Sequence, residues 1–462
     1  MACDANGPLT GVSRSFGLHG RRSANRRGIL AMPMKDPDTH KFLVDEYLSH
    51  WTPSVDNQEA QNDRLTRRAS YAIITKQYYD LVTDIYEHTL GTHFHFCCIR
   101  PGVPLSVAVS VHEQFLVEQL GLQDGQRVVD IGCGVGGPAR EIARYASVAV
   151  VGVNISEYQL HRAARYTAAA NLQDQVTFNR ADFMQTGLES DSFDAAYSIE
   201  GTSYAPSLQG VYSEIFRILK AGGTFAAYEL ALTDIYNDDN PEHRKIRHAL
   251  EEGMGITNLC TMSEAIEAMK AVGFELKNAE DLACSPDQIP WYYLLTGSLR
   301  VINSIWDIRR LIHMAFLRSR VARGMVGAFE SAGILPPGSQ KIVNTLARVG
   351  DMLVKAGEMK LFTPMFLIVG KKPQEELPCV AKAAKDPLYG GCNSAADSIA
   401  VSVNFRLGPL GFLEYPDAGI TGNYGIQNQL LALRWVQEEI STFGGDPDKV
   451  LLFGQSSGGM DS

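Results

Sequence analysis

Long apolar runs, surplus positive charge and paired cysteine motifs are all missing from this sequence. No stretch of 18 or more apolar residues occurs among the 462 residues, so no membrane-spanning helix is predicted. The formal net charge of −10 argues against a nucleic-acid partner, because binding to phosphates requires clustered lysine and arginine. The eight cysteines form no C-x-x-C repeat and no secretory leader precedes them, which indicates a reducing, intracellular compartment and no metal site.

Acidic residues are almost absent from the first 35 residues, which contain five arginines instead. In composition this basic segment is similar to a transit peptide. The stretch SFGLHGRR shows no clear amphipathic stripe, so a flexible basic arm over residues 1–35 is the favoured interpretation. The five arginines are Arg14, Arg21, Arg22, Arg26 and Arg27.

Two kinds of pattern follow the arm. Residues 36–120 are predicted to form substrate-side helices, because HKFLVDEYLSHW and TKQYYDLVTDIYEHTL place apolar residues at positions i, i+3 and i+4. From Arg127 onward, short apolar strands alternate with helices, which is typical of a parallel sheet built from β-α-β units. The predicted strands are RVVDIG, VAVVGVN, QVTFNRA, FDAAYSI, TFAAYEL, FELKNAEDL and LFTPMFLIVG.

Changes in composition indicate where one region ends and the next begins. We assign the α/β core to residues 121–283 and a further region, which includes the last strand of the sheet, to residues 284–376. Residues 377–386 belong to a stretch rich in Lys, Glu, Pro and Ala and are interpreted as a linker. Residues 387–462 then show a separate pattern of strands, a turn and a helix.

A glycine-rich loop, within VVDIGCGVGG, stands where the first predicted strand runs into a helix. Its glycines allow a ligand to approach the backbone closely, and the following helix offers free N–H groups. Asp130 precedes the loop, Asn154 ends the second strand and Asp182 follows the third. This spacing suits S-adenosylmethionine better than a dinucleotide, whose ribose usually meets an acid rather than an asparagine. A purely structural glycine turn is the alternative.

Each polar residue of this pattern has an expected partner in S-adenosylmethionine. Asp130 is expected to meet the ammonium group, Asn154 the ribose hydroxyls and Asp182 the adenine amine. The residues predicted to bind the cofactor are Asp130, Gly132, Cys133, Gly134, Gly136, Asn154, Gln159, Asp182, Phe183 and Glu200.

Longer blocks of the chain resemble the sterol 24-C-methyltransferases, over about residues 16–376. The blocks are DIGCGVGGPAREIARY, GVYSEIFRILKAGGTFAAYEL, NPEHRKI, EDLA, IPWYYLLTG and KLFTPMFLIVGKKP. The resemblance implies an α/β, class I S-adenosylmethionine-dependent methyltransferase with a Rossmann-like seven-stranded sheet, N-terminal helices and a C-terminal sterol-binding insertion. It also implies a homo-oligomer, because members of the family tend to self-associate.

Members of this family methylate carbon 24 of a Δ24 sterol, in sterol biosynthesis of the ergosterol type. The alkene attacks the methyl group, a cation forms at carbon 25, a hydride shifts, and a base removes a proton. Such chemistry requires a dry, apolar pocket, aromatic faces or carboxylates that stabilise the cation, and one positioned base. The resemblance therefore implies that this chain contains these three features.

The resemblance also supplies candidate residues for this chemistry. Glu200 and Glu87 are expected to flank the cation. His95 or Tyr204 is expected to assist proton transfer, and Glu113 to contribute a further acid. Each carboxylate has a solvated or helix-capping role as its alternative, and each aromatic residue an ordinary place in the core. The residues expected to contact the substrate are Tyr86, Phe94, Phe96, His112, Trp291 and Tyr292.

Three residues depart from the usual motifs of the family on the sterol side. Thr89 and Leu90 replace a glycine and a tryptophan, and Tyr204 replaces a histidine. Loss of an aromatic face removes about 1–2 kcal/mol of cation stabilisation in a desolvated site. Another isoprenoid alkene, such as a linear triterpene, is therefore an alternative acceptor, and a non-catalytic lipid-binding protein is a further alternative.

The stretch Leu299 to Leu317 combines an apolar face with Arg309 and Arg310 on the opposite side. One interpretation is peripheral association with a membrane or lipid droplet, because enzymes that act on lipids need access to them. Packing in the core or against a sterol pocket is the alternative. We expect the protein at the surface of the endoplasmic reticulum or of lipid droplets.

From about Pro387 the chain resembles type B carboxylesterases, through VSVNFRLGPLGFL, GNYGIQNQLLALRWVQEEISTFGGDPDKV and LFGQSSGG. Ser456 takes the nucleophile position of a G-x-S-x-G turn. No histidine follows it, and no H-G-G-G oxyanion segment precedes it. Because a serine hydroxyl is a weak nucleophile without a base and oxyanion donors, this incomplete α/β-hydrolase fragment is expected to be inactive.

Overall fold

The computed structural model separates into two compact units, Met1–Gln374 and Glu375–Ser462. The residues that it describes are 18–19, 28–51, 61–285, 287–374, 399, 401, 403, 405–406, 411–415 and 420–451. The five arginines of the N-terminal arm, the predicted linker at residues 377–386 and Ser456 lie outside these residues.

A seven-stranded sheet forms the centre of the first unit. Its strands are β1 Arg127–Ile131, β2 Ala149–Asn154, β3 Val176–Arg180, β4 Phe193–Ile199, β5 Leu219–Leu232, β6 Glu275–Asp281 and β7 Phe362–Lys371. The strand order is β3-β2-β1-β4-β5-β7-β6, with β7 antiparallel to both of its neighbours and all other pairs parallel. All seven predicted strands are present. Strand β5 begins earlier than predicted, at Leu219, before a shift of register in its pairing with β4.

Among the described residues, four α-helices precede the sheet and five flank its strands. The first four are α1 Pro37–Ser49, α2 Gln61–Ala69, α3 Tyr71–Thr89 and α4 Leu105–Leu120. The other five are α5 Gly137–Ala146, α6 Glu157–Ala169, α7 Leu208–Ile218, α8 Pro241–Met254 and α9 Met262–Val272. None of the helices described in the structure is long and apolar enough to cross a membrane.

Alternating side chains of the strands contribute to two separate cores, one on each face of the sheet. Val129 of β1 packs in the core that contains α7 and α9, whereas its neighbour Val128 packs in the core that contains α4 and α5. This alternation follows from the pleat of a strand, which directs successive side chains to opposite faces. The sheet is therefore covered on both faces, and its functional surface is the edge formed by the carboxyl ends of the strands.

The region between β6 and β7 is helical. It contains α10 Tyr293–Thr296, α11 Ile305–Arg318, α12 Arg320–Ser331 and α13 Ser339–Glu358. The stretch treated above as one segment is divided, because a 3-10 turn at Leu299–Val301 precedes α11. Helix α13 approaches α8 closely at Gly253, where a Cβ atom would lie only 2.2 Å from the Cβ of Val349.

The described part of the second unit has little core of its own. Strands β8 Glu414–Tyr415 and β9 Ile420–Thr421 pair antiparallel, and helix α14 Tyr424–Glu439 follows them. Leu431 and Phe443 are exposed, with about two thirds of their surface accessible (63% and 64%).

Candidate active site

The carboxyl ends of β1 and β4 meet at two glycines. A Cβ atom on Gly132 would lie 2.9 Å from the Cα of Gly201, so neither position has room for a side chain. Gly132, Gly134 and Gly136 have φ angles of 85°, 54° and 72°, a region that glycine adopts readily. A Cβ atom on Gly134 would meet no atom within 4 Å. The loop is therefore compact where it contacts β4 and open in front of Gly134.

Asp130 presents a buried carboxylate oxygen at this edge. Its Oδ2 atom has no hydrogen-bond partner among the described residues, and burial raises the pKa of this carboxyl group to about 7. A buried carboxylate without a partner is stabilised by a cationic ligand. The ammonium group of S-adenosylmethionine is such a ligand, so this part of the loop fits the cofactor.

The end of β2 is held by a chain of side-chain amides. Asn154 Nδ2 donates to Gln159 Oε1 at 2.8 Å, and Gln159 Nε2 donates to Thr83 Oγ1 at 3.1 Å. Cys133 is buried, and burial raises the pKa of its thiol. A Cβ atom on Gly152 would lie 2.8 Å from the sulfur of Cys133, which explains the glycine in β2.

Asp182 already has a partner, one that the sequence did not indicate. Tyr71, the first residue of α3, donates its hydroxyl to Asp182 Oδ2, and the ring of Phe183 lies 6.3 Å from that of Tyr71. The other oxygen of Asp182 accepts from the N–H of Met184 at 2.9 Å. An adenine amine would therefore have to share Asp182 with Tyr71 or displace it.

A largely apolar cavity opens beside this edge, between the sheet and the helices on either side of it. Glu200 connects the two sites, because it lines the cavity and directly precedes the glycine that touches Gly132. Seven of the residues expected to act on or contact the substrate line the cavity. They are Tyr86, Phe94, His95, Phe96, Glu200, Tyr204 and Trp291.

Glu200 is held rigidly at the end of β4. It has a φ of 60°, a left-handed conformation that is rare outside glycine and clusters at functional sites. Its Oε1 atom accepts a hydrogen bond from the N–H of Phe96 at 2.7 Å. Burial raises the pKa of Glu200 to about 8, although the nearby His95 and this hydrogen bond oppose the shift.

His95 is clamped between two acceptors. Its Nδ1 atom lies 2.7 Å from the carbonyl oxygen of Phe96, and its Nε2 atom lies 2.7 Å from Glu113 Oε1. Both partners accept hydrogen bonds, so both ring nitrogens carry a proton and the ring is an imidazolium. Burial lowers the pKa of His95, but the hydrogen bond and charge of Glu113 outweigh it and the net direction is upward.

Glu113 joins two histidines below the cavity. His93 Nδ1 lies 2.6 Å from the same Oε1 atom that His95 contacts. Burial raises the pKa of Glu113, yet the hydrogen bonds from the two histidines bring it down to about 2. The three ligand atoms lie within 4.8 Å of one another, so the cluster could also hold a metal ion. Hydrogen bonds from the two histidines to Glu113 are sufficient to account for these short contacts.

We expect Glu113→Gln to destabilise the protein by about 3 kcal/mol, because it leaves a buried imidazolium without its counter-charge. The raised pKa of His95 provides stability that is complete below its ordinary value of 6.5. The lowered pKa of Glu113 provides stability that is complete above its ordinary value of 4.5. The loss of stability caused by Glu113→Gln is therefore largest between pH 4.5 and 6.5. It becomes smaller as the pH rises through the pKa of His95.

Chemical denaturation of the parent and variant across pH 4.5–9 measures this dependence. Glu118→Gln is the matched control, because Glu118 is an exposed residue on the same helix. A loss of stability in Glu113→Gln that does not change with pH would contradict the imidazolium assignment.

Aromatic groups supply much of the remaining wall of the cavity. The hydroxyl of Tyr79 donates to that of Tyr204 at 2.8 Å, and the ring of Phe96 meets Trp291 edge-on at 5.3 Å. The hydroxyl of Tyr86 hydrogen-bonds to that of Tyr78, a residue that is not part of the cavity lining. The cavity therefore combines π faces with few polar groups, as a site for a developing cation requires.

The structure does not bring Glu87 to Glu200. Glu87 lies outside the cavity lining, where its carboxylate pairs with Arg162 and accepts from the hydroxyl of Tyr166 at 2.7 Å. Helix geometry explains the difference, because adjacent helical residues point about 100° apart and Tyr86 takes the side that faces the cavity. The acidic pair expected from the sequence is thus not found among the residues that line the cavity.

Three other candidates also lie outside the cavity lining. Glu113 lies behind His95, as described above. His112 is buried and stacks on Tyr228 at 3.9 Å, and burial lowers its pKa to about 3, so the ring is neutral. Tyr292 packs on α13 at Gly357, where a Cβ atom would lie 2.3 Å from its ring. These residues support the walls of the cavity from outside.

Curated proteins of one family align with most of this chain. The sterol 24-C-methyltransferase of Aspergillus fumigatus is 47% identical over 374 residues, which cover 81% of this chain and 99% of that protein. The enzyme of the same name from Saccharomyces cerevisiae is 41% identical over 77% of this chain and 92% of its own length. This chain belongs to the sterol 24-C-methyltransferase family. It is therefore an S-adenosylmethionine-dependent methyltransferase, and both the predicted family and the predicted cofactor are confirmed.

Three family models match separate parts of the chain. The methyltransferase-domain model matches residues 129–227 and the sterol methyltransferase C-terminal model residues 310–374. The carboxylesterase family model matches residues 384–461, which confirms the resemblance of the tail to that family.

Solved structures confirm the fold. The [4+2]-cyclase SpnF aligns with a TM-score of 0.50 and 21% identity over 64% of this chain and 94% of its own. The cyclopropane synthase MmaA2 of Mycobacterium tuberculosis also aligns with a TM-score of 0.50, at 15% identity over 65% of this chain and 98% of its own.

The three departures from the family motifs all lie on one surface. Thr89, Leu90 and Tyr204 each line the cavity. The hydroxyl of Thr89 donates to the carbonyl of Ile85 at 3.0 Å, inside its own helix, and so adds little polarity to the wall.

Proposed function

We propose that this protein transfers the methyl group of S-adenosylmethionine to carbon 24 of a Δ24 sterol, through a side-chain cation, in sterol biosynthesis of the ergosterol type. The position of Glu200 carries the proposal. This buried carboxylate lines the apolar cavity and directly precedes the glycine packed against the cofactor loop. The names of the curated relatives support the same reaction.

Different residues of the chain contribute to different parts of this reaction. S-adenosylmethionine, when bound, supplies an electrophilic methyl group. The aromatic walls exclude water and present π faces to the cation that forms on the acceptor. Glu200, once ionised, stabilises that cation and accepts the proton that leaves. His95 acts as a positioning residue, because its protonated ring favours the ionised form of Glu200 but cannot accept a proton itself.

A panel of acceptors tests this function. Purified protein is incubated with isotope-labelled S-adenosylmethionine and a Δ24 sterol, the same sterol with a saturated side chain, or squalene. Label in the Δ24 sterol product with the saturated control blank supports the proposal. Binding of the cofactor without label in any sterol would contradict it.

A second candidate acceptor is another isoprenoid alkene. The observation that favours it is the placement of Thr89, Leu90 and Tyr204, which all face the substrate space. Label in squalene alone would favour this candidate over the sterol.

We further propose that the protein associates with the surface of the endoplasmic reticulum or of lipid droplets through α11 and α12. Ile305 and Trp306 on α11, and Val321 on α12, each expose more than two thirds of their surface (75%, 68% and 69%). Arg320, the first residue of α12, and Arg300, which precedes α11 in the sequence, are exposed and add positive charge. Exposed tryptophan, aliphatic residues and arginine together favour a lipid surface with anionic headgroups.

We expect Trp306→Ser combined with Ile312→Ser to weaken binding to anionic vesicles at least about tenfold, because burying each apolar side chain contributes about 1.5–3 kcal/mol. Sedimentation with vesicles of phosphatidylserine and phosphatidylcholine measures the effect. Leu65→Ser combined with Ile235→Ser is the control, because these two exposed residues lie elsewhere in the chain. If the Trp306→Ser, Ile312→Ser variant changes its oligomeric mass but binds vesicles as the parent does, these exposed residues mediate self-association instead. The family resemblance also implies self-association.

We propose that residues 387–462 take no part in methyl transfer and have no esterase activity. No H-G-G-G oxyanion segment lies between residue 387 and Ser456 in the sequence, which supports this proposal. The small core of the second unit, among its described residues, is consistent with it.

A further inference from the structure

Glu229 is a buried carboxylate that neither lines the acceptor cavity nor belongs to the predicted cofactor residues. It lies on β5, where only 1% of its surface is accessible. Its neighbours on the strand, Tyr228 and Leu230, are buried as well. A carboxylate is costly to bury in such surroundings unless donors satisfy it, and an apolar side chain would avoid this cost. The carboxylate therefore calls for a role other than filling the core.

Three hydroxyl groups donate hydrogen bonds to Glu229. Thr202 donates to Oε1, Ser203 donates to Oε2 at 2.6 Å, and Tyr212 donates to Oε1 at 2.8 Å. Burial raises the pKa of Glu229, and the three hydroxyl groups oppose this shift. Thr202 and Ser203 belong to a 3-10 turn, whereas Tyr212 belongs to α7. Glu229 therefore fastens the turn to the core of the protein.

The turn that Glu229 holds, Thr202–Tyr204, directly follows Glu200 and Gly201. Glu200 has a left-handed backbone conformation, which persists only where the surrounding structure supports it. Gly201 packs against the cofactor loop, and Tyr204 lines the cavity. One short segment thus carries the proposed base, a contact to the cofactor loop and part of the cavity wall.

Strand β5 is irregular at Glu229. Glu229 pairs with Phe366 of β7 and Ala231 pairs with Thr363, so the register of the two strands shifts between these pairs. Irregularities of this kind redirect side chains and are frequent beside active sites. The shift is consistent with a side chain that is directed at the turn.

On the basis of the function proposed above, we propose that Glu229 is a positioning residue, which holds the turn at residues 202–204 and thereby fixes the carboxylate of Glu200 in the cavity. Displacement of a catalytic group by about 1 Å can lower a rate about 100-fold. Release of the turn should therefore lower kcat, while the Kd for S-adenosylmethionine stays nearly unchanged.

Thr202→Val combined with Ser203→Ala tests this role, because it removes both donors of the turn and keeps Glu229 itself. We expect kcat for a Δ24 sterol to fall about tenfold to 100-fold in this turn variant. Glu229→Gln keeps only one acceptor oxygen and should show a smaller loss. Thr202→Ser keeps the hydroxyl group and should retain the kcat of the parent.

Tyr212→Phe is the matched control for the turn variant. It removes the third donor to the same carboxylate, but from α7 rather than from the turn. Its melting temperature should fall, because a buried hydrogen bond is lost. Its kcat should equal that of the parent, because Thr202 and Ser203 still hold the turn.

Exchange of the Phe96 amide hydrogen measures the position of Glu200 without any turnover. The N–H of Phe96 donates to Glu200 Oε1 at 2.7 Å, so we expect it to be protected in the parent and to exchange faster in the turn variant. Hydrogen–deuterium exchange followed by mass spectrometry measures this difference. Glu200→Ala, which removes the acceptor, sets the scale, and Tyr212→Phe should exchange as the parent does.

Three results would overturn the proposal. They are an unchanged kcat in the turn variant, unchanged exchange at Phe96 in that variant, and an equal loss of kcat in Tyr212→Phe, which would indicate a role in stability alone. The exchange measurement also separates this proposal from the proposed function. Faster exchange at Phe96 in the turn variant, with a parent that methylates no sterol, would support the role of Glu229 and refute the function. Unchanged exchange with an active parent would overturn the role of Glu229 alone.

Discussion

Asp130→Asn is expected to weaken the binding of S-adenosylmethionine by about 100-fold or more, because removing one member of a buried charge pair costs about 2–5 kcal/mol. Asparagine keeps the size of the side chain and removes the charge that a bound ammonium group needs. The carboxyl group is buried, and its Oδ2 atom has no hydrogen-bond partner among the described residues. Titration calorimetry at pH 8 measures the two dissociation constants.

The same site gives the binding a pH dependence. Burial raises the pKa of Asp130 to about 7 in the absence of ligand, so the carboxylate is protonated below that pH and affinity falls as the pH decreases. This dependence on Asp130 should be absent in Asp130→Asn. Asp194→Asn is the matched control, because Asp194 lies on β4 and pairs with Lys220. A Kd within threefold of the parent in Asp130→Asn would contradict the assignment.

Glu200→Gln is expected to lower kcat by about 100-fold or more while the Kd for S-adenosylmethionine changes little, because a positioned acid–base group contributes about 10²–10⁴-fold. Glutamine can still accept the hydrogen bond from the N–H of Phe96, so the geometry is preserved. It can neither carry the negative charge nor take up a proton. Single-turnover kinetics with saturating cofactor measure the loss.

The raised pKa of Glu200 predicts two further properties. In the parent, kcat/KM for the acceptor should rise with pH through a limb at or below about 8, and this limb should disappear in Glu200→Gln. Because the folded protein favours the neutral form, ionisation of Glu200 destabilises it increasingly from pH 4.5 to about 8. The melting temperature of the variant at pH 8 should therefore equal or exceed that of the parent. A less stable variant with normal kcat in its folded fraction would refute a catalytic role.

The sheet and the cofactor edge could be predicted from the sequence because their signals are local. Ser156, Ser207 and Thr261 are residues of the types that favour helix N-caps, and in the structure each side chain accepts a hydrogen bond from a backbone N–H inside the first turn. The glycines of the first loop have positive φ angles, which glycine adopts readily. Such requirements are satisfied within a few residues and so remain readable in one sequence.

The cavity could be predicted only in part because its walls come from distant segments. Tyr86 and Glu87 are neighbours in sequence, yet only Tyr86 lines the cavity, and the rotation of α3 that decides this depends on packing against Arg162 and other distant residues. Arg310, which lines the cavity, belongs to an amphipathic helix whose orientation no local pattern reveals. The pairing of Tyr71 with Asp182 joins residues 111 positions apart and had no signal in the sequence.

The position of the transferred methyl group tests the central claim most directly. The protein is incubated with S-adenosylmethionine that carries a trideuterated methyl group and with a Δ24 sterol deuterated at carbon 24. Mass spectrometry and NMR of the product then locate every deuterium. The proposed reaction predicts the new methyl-derived carbon on carbon 24 and the deuterium of carbon 24 moved to carbon 25. A methyl group at any other carbon, or deuterium that remains on carbon 24, would contradict the proposed reaction.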